Sequence, residues 1–202
     1  PEERKALNEA PFDIEEYKSD LGVQELWGEK GFTAIEHTGI RPTLEVNGVF
    51  GGFSGEGIKT VLPAEAGAKI TCRLVPDQDP DEIVALLKAH VEKHKPAGVD
   101  ITISEFDKGA PYITPFDHPV IQAAGRSYEH VYEVPTAFIR GGGSIPIVAA
   151  FDQILALPVV LMGFGLTSEN FHAPNEHFHL ENFDKGLRVL GDYLYEVATL
   201  KL

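Results

Sequence analysis

Sulfur and tryptophan are almost absent, with one cysteine (Cys72), one methionine and one tryptophan in 202 residues. A lone thiol closes no disulfide within the chain, and such scarcity fits a reducing compartment. Positive charge is also short: 17 Lys and Arg face 31 Asp and Glu, a formal net charge of −14. That field repels phosphate backbones and anionic lipid, so neither nucleic acid nor a membrane is an expected partner. Apolar runs such as Leu155 to Met162 fall far short of the roughly 20 residues of a membrane span. The first residues carry no signal-peptide pattern. These absences lead to the expectation of a cytoplasmic, globular protein. What is present is 43% hydrophobic residues, enough for one large or two small cores.

Local signals divide the chain. Residues 1–36 are rich in charge and helix formers, and Asp13-Ile14-Glu15-Glu16 reads as the acidic first turn of a short surface helix before a linker. From Pro42 the pattern turns to strands. Thr43 to Val46, Lys59 to Pro63 and Ala66 to Val75 recur in β-branched residues around a glycine-rich bend, Gly48 to Gly57. Asp79 as N-cap and Pro80 at the first helical position open a helix with an apolar stripe at Ile83, Val84, Leu87 and Val91. Val99 to Phe106 alternates as a further strand. Strand, strand, helix, strand is one strand and one helix short of a split βαβ ferredoxin-like unit, which therefore reads as truncated at its start. From Asp117 a helix, a strand at Thr136 to Ile139, a helix to Leu155, a buried strand at Pro158 to Met162 and a last helix at Asn182 to Thr199 imply a parallel sheet covered by helices. There is no internal repeat and no low-complexity tract.

Three places have residue types suited to chemistry. The densest is Glu169-Asn170-Phe171-His172-Ala173-Pro174-Asn175-Glu176-His177-Phe178-His179, where imidazoles and carboxylates offer ligands for zinc-like metals. Pro174 disfavours a regular helix, so a paired-His helix face is not available; a solvated polar loop is the plain alternative. The second is Arg140-Gly141-Gly142-Gly143-Ser144-Ile145-Pro146, a glycine turn before a helix whose N–H groups suit a carboxylate or oxyanion. It lacks the spacing of a nucleotide loop, and Ser144 reads equally well as an N-cap. The third is Arg73, which alternation places with Thr71 on the face opposite Ile70, Cys72 and Leu74. A guanidinium there suits bidentate recognition of a carboxylate, although lone surface arginines are ordinarily just solvated.

Taken together, GGFSGEGIKTVLPAEAGAKITCRLVPDQDPDEI, IRGGGSIPIVAAF and GFGLTSENFHAPNEHFHLENFDKGLRVL resemble the M20 metallopeptidases of the carnosinase and dipeptidase type. The likeness lies in order and spacing and runs from about Arg41 onward. It implies an α/β (α+β) chain: a ferredoxin-like lid or dimerisation domain over residues 37–112, incomplete at its start, then the C-terminal part of an α/β zinc-peptidase-like catalytic domain over 113–202. It implies that His172, in HAPNE, is a metal ligand, with Glu176 close behind it, and that Thr60 and Arg73 hold a substrate carboxylate or the tetrahedral intermediate. Ser144 becomes a substrate contact, and Gly141 stands where carnosinase-like members carry glutamate to receive a free amine. The implied cofactor is a pair of divalent ions, zinc first with manganese or cobalt as alternatives. The implied reaction is attack of a metal-bridging hydroxide on an amide carbonyl. The remaining metal ligands, the general base and a lid histidine contributed across a homodimer are expected upstream of residue 1, so no catalytic base is assigned here and the chain alone is expected to be inactive. Substrates are expected to be dipeptides or, given Gly141, N-acyl amino acids. A noncatalytic dimerisation and binding module is the reading from a different class.

Overall fold

The computed structural model describes residues 2–141 and 145–200. Three short helices precede the first strand, where the sequence reading expects one and a linker: α1 (Glu2–Glu9), α2 (Ile14–Leu21) and α3 (Ala34–Gly39). Asp13 starts α2 as expected, its carboxylate accepting from Glu15 and Glu16 N–H at 2.9 and 3.1 Å, and Gly22 ends it at φ 67°. α1 is tied to α3 by Glu36, whose fully buried carboxylate accepts from the Arg4 guanidinium, from Asn8 Nδ2 at 3.1 Å and from Thr33 N–H at 2.6 Å. The Arg4 hydrogen bond, helped by Thr33 and Asn8 and opposed by burial, holds the Glu36 carboxyl down at about 2, from an ordinary 4.5. A depressed folded value means that the tie is at full strength above about 4.5 and is lost as pH falls toward about 2. The Thr33 amide resonance should therefore hold its position through pH 4.5 and move only near pH 2. In Arg4→Met the midpoint should rise; a wild-type midpoint at the ordinary carboxyl value would remove Arg4 as the cause.

Residues 43–73 form an antiparallel hairpin of β1 (Thr43–Gly51) and β2 (Ala66–Arg73). β1 runs five residues beyond the expected Val46 because a bulge absorbs Asn47: Val46 pairs with Ile70, and Gly48, not Asn47, pairs with Lys69. The bulge corrects the phase of the sequence, in which Leu44 and Val46 alternate but Val49 falls one residue late. With the shift, Leu44, Val46 and Val49 share a face with Ile70 and Cys72, while Thr43, Glu45, Lys69, Thr71 and Arg73 share the other. The expected separation of Arg73 from Ile70 and Cys72 is thus the one the register gives.

α4 (Pro80–His94) starts as the sequence predicts, Asp79 accepting from Asp81 and Glu82 N–H at 2.7 and 3.1 Å. Residues 99–110 then run extended beside it, tethered by the Lys88–Glu105 and Lys108–Asp81 ion pairs. Four expected strands, at 59–63, 99–106, 136–139 and 158–162, are not strands among the described residues, and neither is a parallel sheet formed there: the hairpin is the sheet. A strand is defined by a hydrogen-bonded neighbour as much as by its own dihedrals, and β pattern in these segments meets no neighbouring backbone to pair with.

The last third packs α5 (Pro119–Tyr132) against α7 (Leu180–Thr199), with α6 (Pro146–Leu155) between them in sequence. Ala123, Ala124 and Gly125 of α5 and Gly186 and Val189 of α7 are buried. Arg126–Glu196 at 2.7 Å and His130–Asp192 at 2.9 Å bind the same two helices at their rims. Beyond these the core is thin: Leu7, Val120, Val148 and Ala149 complete the buried apolar residues among those described. The chain exposes 15633 Å², whereas a self-contained globular chain of 22.1 kDa exposes roughly 9,300 Å². Val99, Ile101, Ile103, Phe106 and Leu161 are among the apolar side chains left in water. No described helix is long and apolar enough to cross a membrane.

Candidate functional site

The α5–α7 pair holds two loops by their backbones. Thr136 Oγ1 donates to Gly125 O at 2.8 Å and Phe138 lies on Gly125, which fixes the run into Arg140 and Gly141. Tyr128 Oη donates to Gly163 O at 2.9 Å and Phe164 lies on Gly186, which fixes the run into the His-rich loop. Burial, with Tyr132 nearby, pushes the Tyr128 phenol up to about 12, so it stays a neutral donor to that carbonyl.

The His-rich loop turns through Thr167–Glu169, a single 3₁₀ turn, and continues in tight turns to His179, which precedes α7. Its backbone takes a left-handed conformation at three non-glycine residues: Asn170 (φ 56°), His172 (φ 59°) and Asn175 (φ 63°). The two asparagines tolerate this well; His172 is held there at a cost. The His172 side chain is exposed, as is Glu176. The His177 ring Nδ1 lies 3.0 Å from Asn175 O, and its ring meets His179 edge-on at 5.5 Å. Glu169 is the exception to this exposure, being fully buried. Burial raises its carboxyl, but N–H bonds from His179 and Leu166 and the neighbouring His179 and His177 outweigh that, leaving it below the ordinary carboxylate range. Sequence reading counted Glu169 only as one carboxylate of the cluster.

The other expected site residues lie on separate elements. Arg73 ends β2 and is exposed on the polar face of the hairpin. Thr60 is exposed in the irregular segment between the strands, beside a cavity of about 330 Å³ lined by Phe53, Lys59 and Val61. Gly141 is exposed, and a Cβ built on it meets nothing within 4 Å. Ser144 falls outside the described residues. Among the described residues no three His, Cys, Asp or Glu side chains group as a metal site. A larger cavity of about 530 Å³ sits elsewhere, between Asp77, Tyr112, His118 and the end of α6. Cys72 offers no thiolate, since burial and Glu45 push its thiol up.

Comparison with known proteins places these residues in context. The family model described as Peptidase family M20/M25/M40 matches residues 13–196. The Cys-Gly metallodipeptidase dug1 of Schizosaccharomyces pombe is 30% identical over 99% of this chain and 43% of its own length. Among solved structures, an M20 family metallo-carboxypeptidase from Sulfolobus solfataricus superposes with a TM-score of 0.83 at 31% identity, covering 97% of this chain and 45% of that one. Human carnosine dipeptidase 1 superposes with a TM-score of 0.83 at 26% identity, covering 98% of this chain and 42% of that one. The chain therefore spans a little over two fifths of the length of these relatives.

Proposed function

The chain belongs to peptidase family M20/M25/M40, and we propose that it supplies the substrate-holding lid and one metal-ligand loop of a hydrolase that cleaves dipeptides. The observation that carries the proposal is the presentation of His172 on a braced loop, at the position where the HAPNE motif places a family ligand. Residues 37–112 act as the lid, ferredoxin-like and one strand and helix short, with residues 1–36 leading into it and residues 113–202 belonging to the catalytic domain. The extended, apolar and unpaired 99–106 segment supports that division, because it has strand pattern without a backbone neighbour.

The family implies divalent metal, with zinc the expected ion and manganese or cobalt the alternatives. The donors of this chain do not fit a complete centre. His172 brings one neutral nitrogen, and the described residues assemble no group of three donors, so the other ligands and the general base come from a further catalytic half. The large exposed surface supports the same division of labour, and a homodimer formed through the open hairpin edge would cover part of it. What this chain does is hold. Arg73 grips the substrate carboxylate by its planar fork, and Thr60 and Ser144 are the further substrate contacts of this reading.

A second reading, hydrolysis of N-acyl amino acids, is favoured by the open space at Gly141. The test is to compare a dipeptide with its N-acetylated counterpart on the hydrolase containing this chain, before and after Gly141→Glu. Metal-dependent cleavage of the dipeptide is expected, with acetylated substrate tolerated until the glutamate is introduced. A strong wild-type preference for the free amine would remove the second reading; no metal-dependent amide cleavage at all would remove both and leave a noncatalytic module.

A further inference from the structure

We propose that Glu169 is a positioning residue, the clamp that sets the His172 turn. Its two carboxylate oxygens are divided between the two ends of the loop: Oε2 accepts from Leu166 N–H at 2.8 Å and Oε1 from His179 N–H at 2.8 Å. Its own carbonyl accepts from His177 N–H at 3.1 Å. One residue thus closes the loop on both sides of His172 and satisfies backbone donors that would otherwise be left in a buried place.

The turn needs such a brace. Three left-handed non-glycine residues within six positions persist only where their surroundings over-determine them. A carboxylate suits the task better than an amide, because both donors are N–H groups and each requires an acceptor oxygen. Gln at 169 has the same shape, yet its NH₂ would face one of the two N–H donors. The packing against the carboxylate is tight: a Cβ on Gly165 would come within 2.9 Å of Glu169 Oε2 and run into the Phe171 ring. The geometry of the clamp belongs to this loop; its value to hydrolysis rests on His172 being used in the site, as proposed above.

The decisive measurement is amide hydrogen exchange, with His172 and Asn170 ¹³Cα shifts as reporters of the left-handed turn, on the hydrolase containing this chain and on its variants. Glu169→Gln should raise exchange at Leu166, His177 and His179 by roughly tenfold or more while α5 stays protected, since the loop opens locally. It should also move the His172 ¹³Cα shift. Glu169→Asp keeps two acceptor oxygens and should restore part of both signals; Gly165→Ala, which leaves the charge in place, should loosen the same amides. Unchanged exchange and shifts in Glu169→Gln, or equal loss in Gln and Asp variants, would overturn the clamp. In the hydrolase, Glu169→Gln should lower kcat far more than it changes KM. If Glu169→Gln opens the loop but His172→Ala leaves turnover intact, the assignment of His172 fails and the clamp stands. If His172→Ala abolishes turnover and Glu169→Gln changes neither loop nor kcat, the clamp fails and the assignment stands.

Discussion

Purified on its own, the 202-residue chain should show no metal-dependent amide hydrolysis, and mixing it with a separately produced amino-terminal half of the hydrolase should restore it. His172→Ala in this chain should then abolish the restored activity. The size of the effect follows from coordination. A bridged pair of ions needs several carboxylates and imidazoles, and loss of one first ligand opens the centre rather than weakening it slightly. His172 is the ligand proposed for this chain, and its side chain is exposed on the braced loop. His177 and His179 are different: the first points back to Asn175 O, and the second gives its backbone N–H to Glu169. Alanine at either should leave most activity. Zinc- or manganese-dependent turnover by the chain alone, with its mass verified, would show that the ligands have been misplaced.

Arg73→Met in the same hydrolase should reduce kcat/KM by roughly 10- to 150-fold, the equivalent of about 1.5–3 kcal/mol for a charge-assisted hydrogen bond to a substrate carboxylate. The side chain lies on the polar face of β2, away from Ile70 and Cys72, so its replacement should leave the hairpin intact. Arg73→Lys should keep the charge and lose the fork, giving an intermediate loss. Steady-state kinetics on a dipeptide and on the same compound with its carboxylate amidated separate the roles: the amidated substrate should be indifferent to the mutation. Equal losses on both would move Arg73 from binding the carboxylate to a general role in folding.

What was legible in the sequence is what short-range chemistry decides. Asp13 and Asp79 announce their helices because an N-cap acts within three residues. The two strands of the hairpin were legible as strands, but their direct pairing past residues 59–63 and the length of β1 were not, because nothing local says that Asn47 is skipped. Strands at 99–106, 136–139 and 158–162 were read from alternation and apolar runs, but a ladder depends on a neighbour distant in sequence. In the candidate site, motif residues stood out by type: His172 in its cluster, Gly141 in its glycine turn, Arg73 by its face. Glu169 did not, because its importance comes from two backbone N–H groups, thirteen positions apart in sequence, that fold onto its two oxygens. Glu36 was hidden for the same reason, its partner Arg4 being 32 residues away.

The bulge at Asn47 has a consequence for how this hairpin tolerates insertion and deletion. Side chains on one side of Asn47 are in phase with those on the other only because one residue is unpaired. Removing Asn47 would leave Val46 opposite Ile70 and Gly48 opposite Lys69 in an uninterrupted ladder, with Val49 still on the face of Ile70, whereas drawing Asn47 into the ladder opposite Lys69 would turn Val49 onto the face of Arg73 and move Phe50 to the face of Val46. Deletion at 47 leaves the phase alone; losing the bulge with every residue kept does not. The unpaired state of Asn47 therefore acts as the phase marker of the sheet, and a chain that kept every residue but drew this one into the ladder would present Val49 on the surface that carries Arg73.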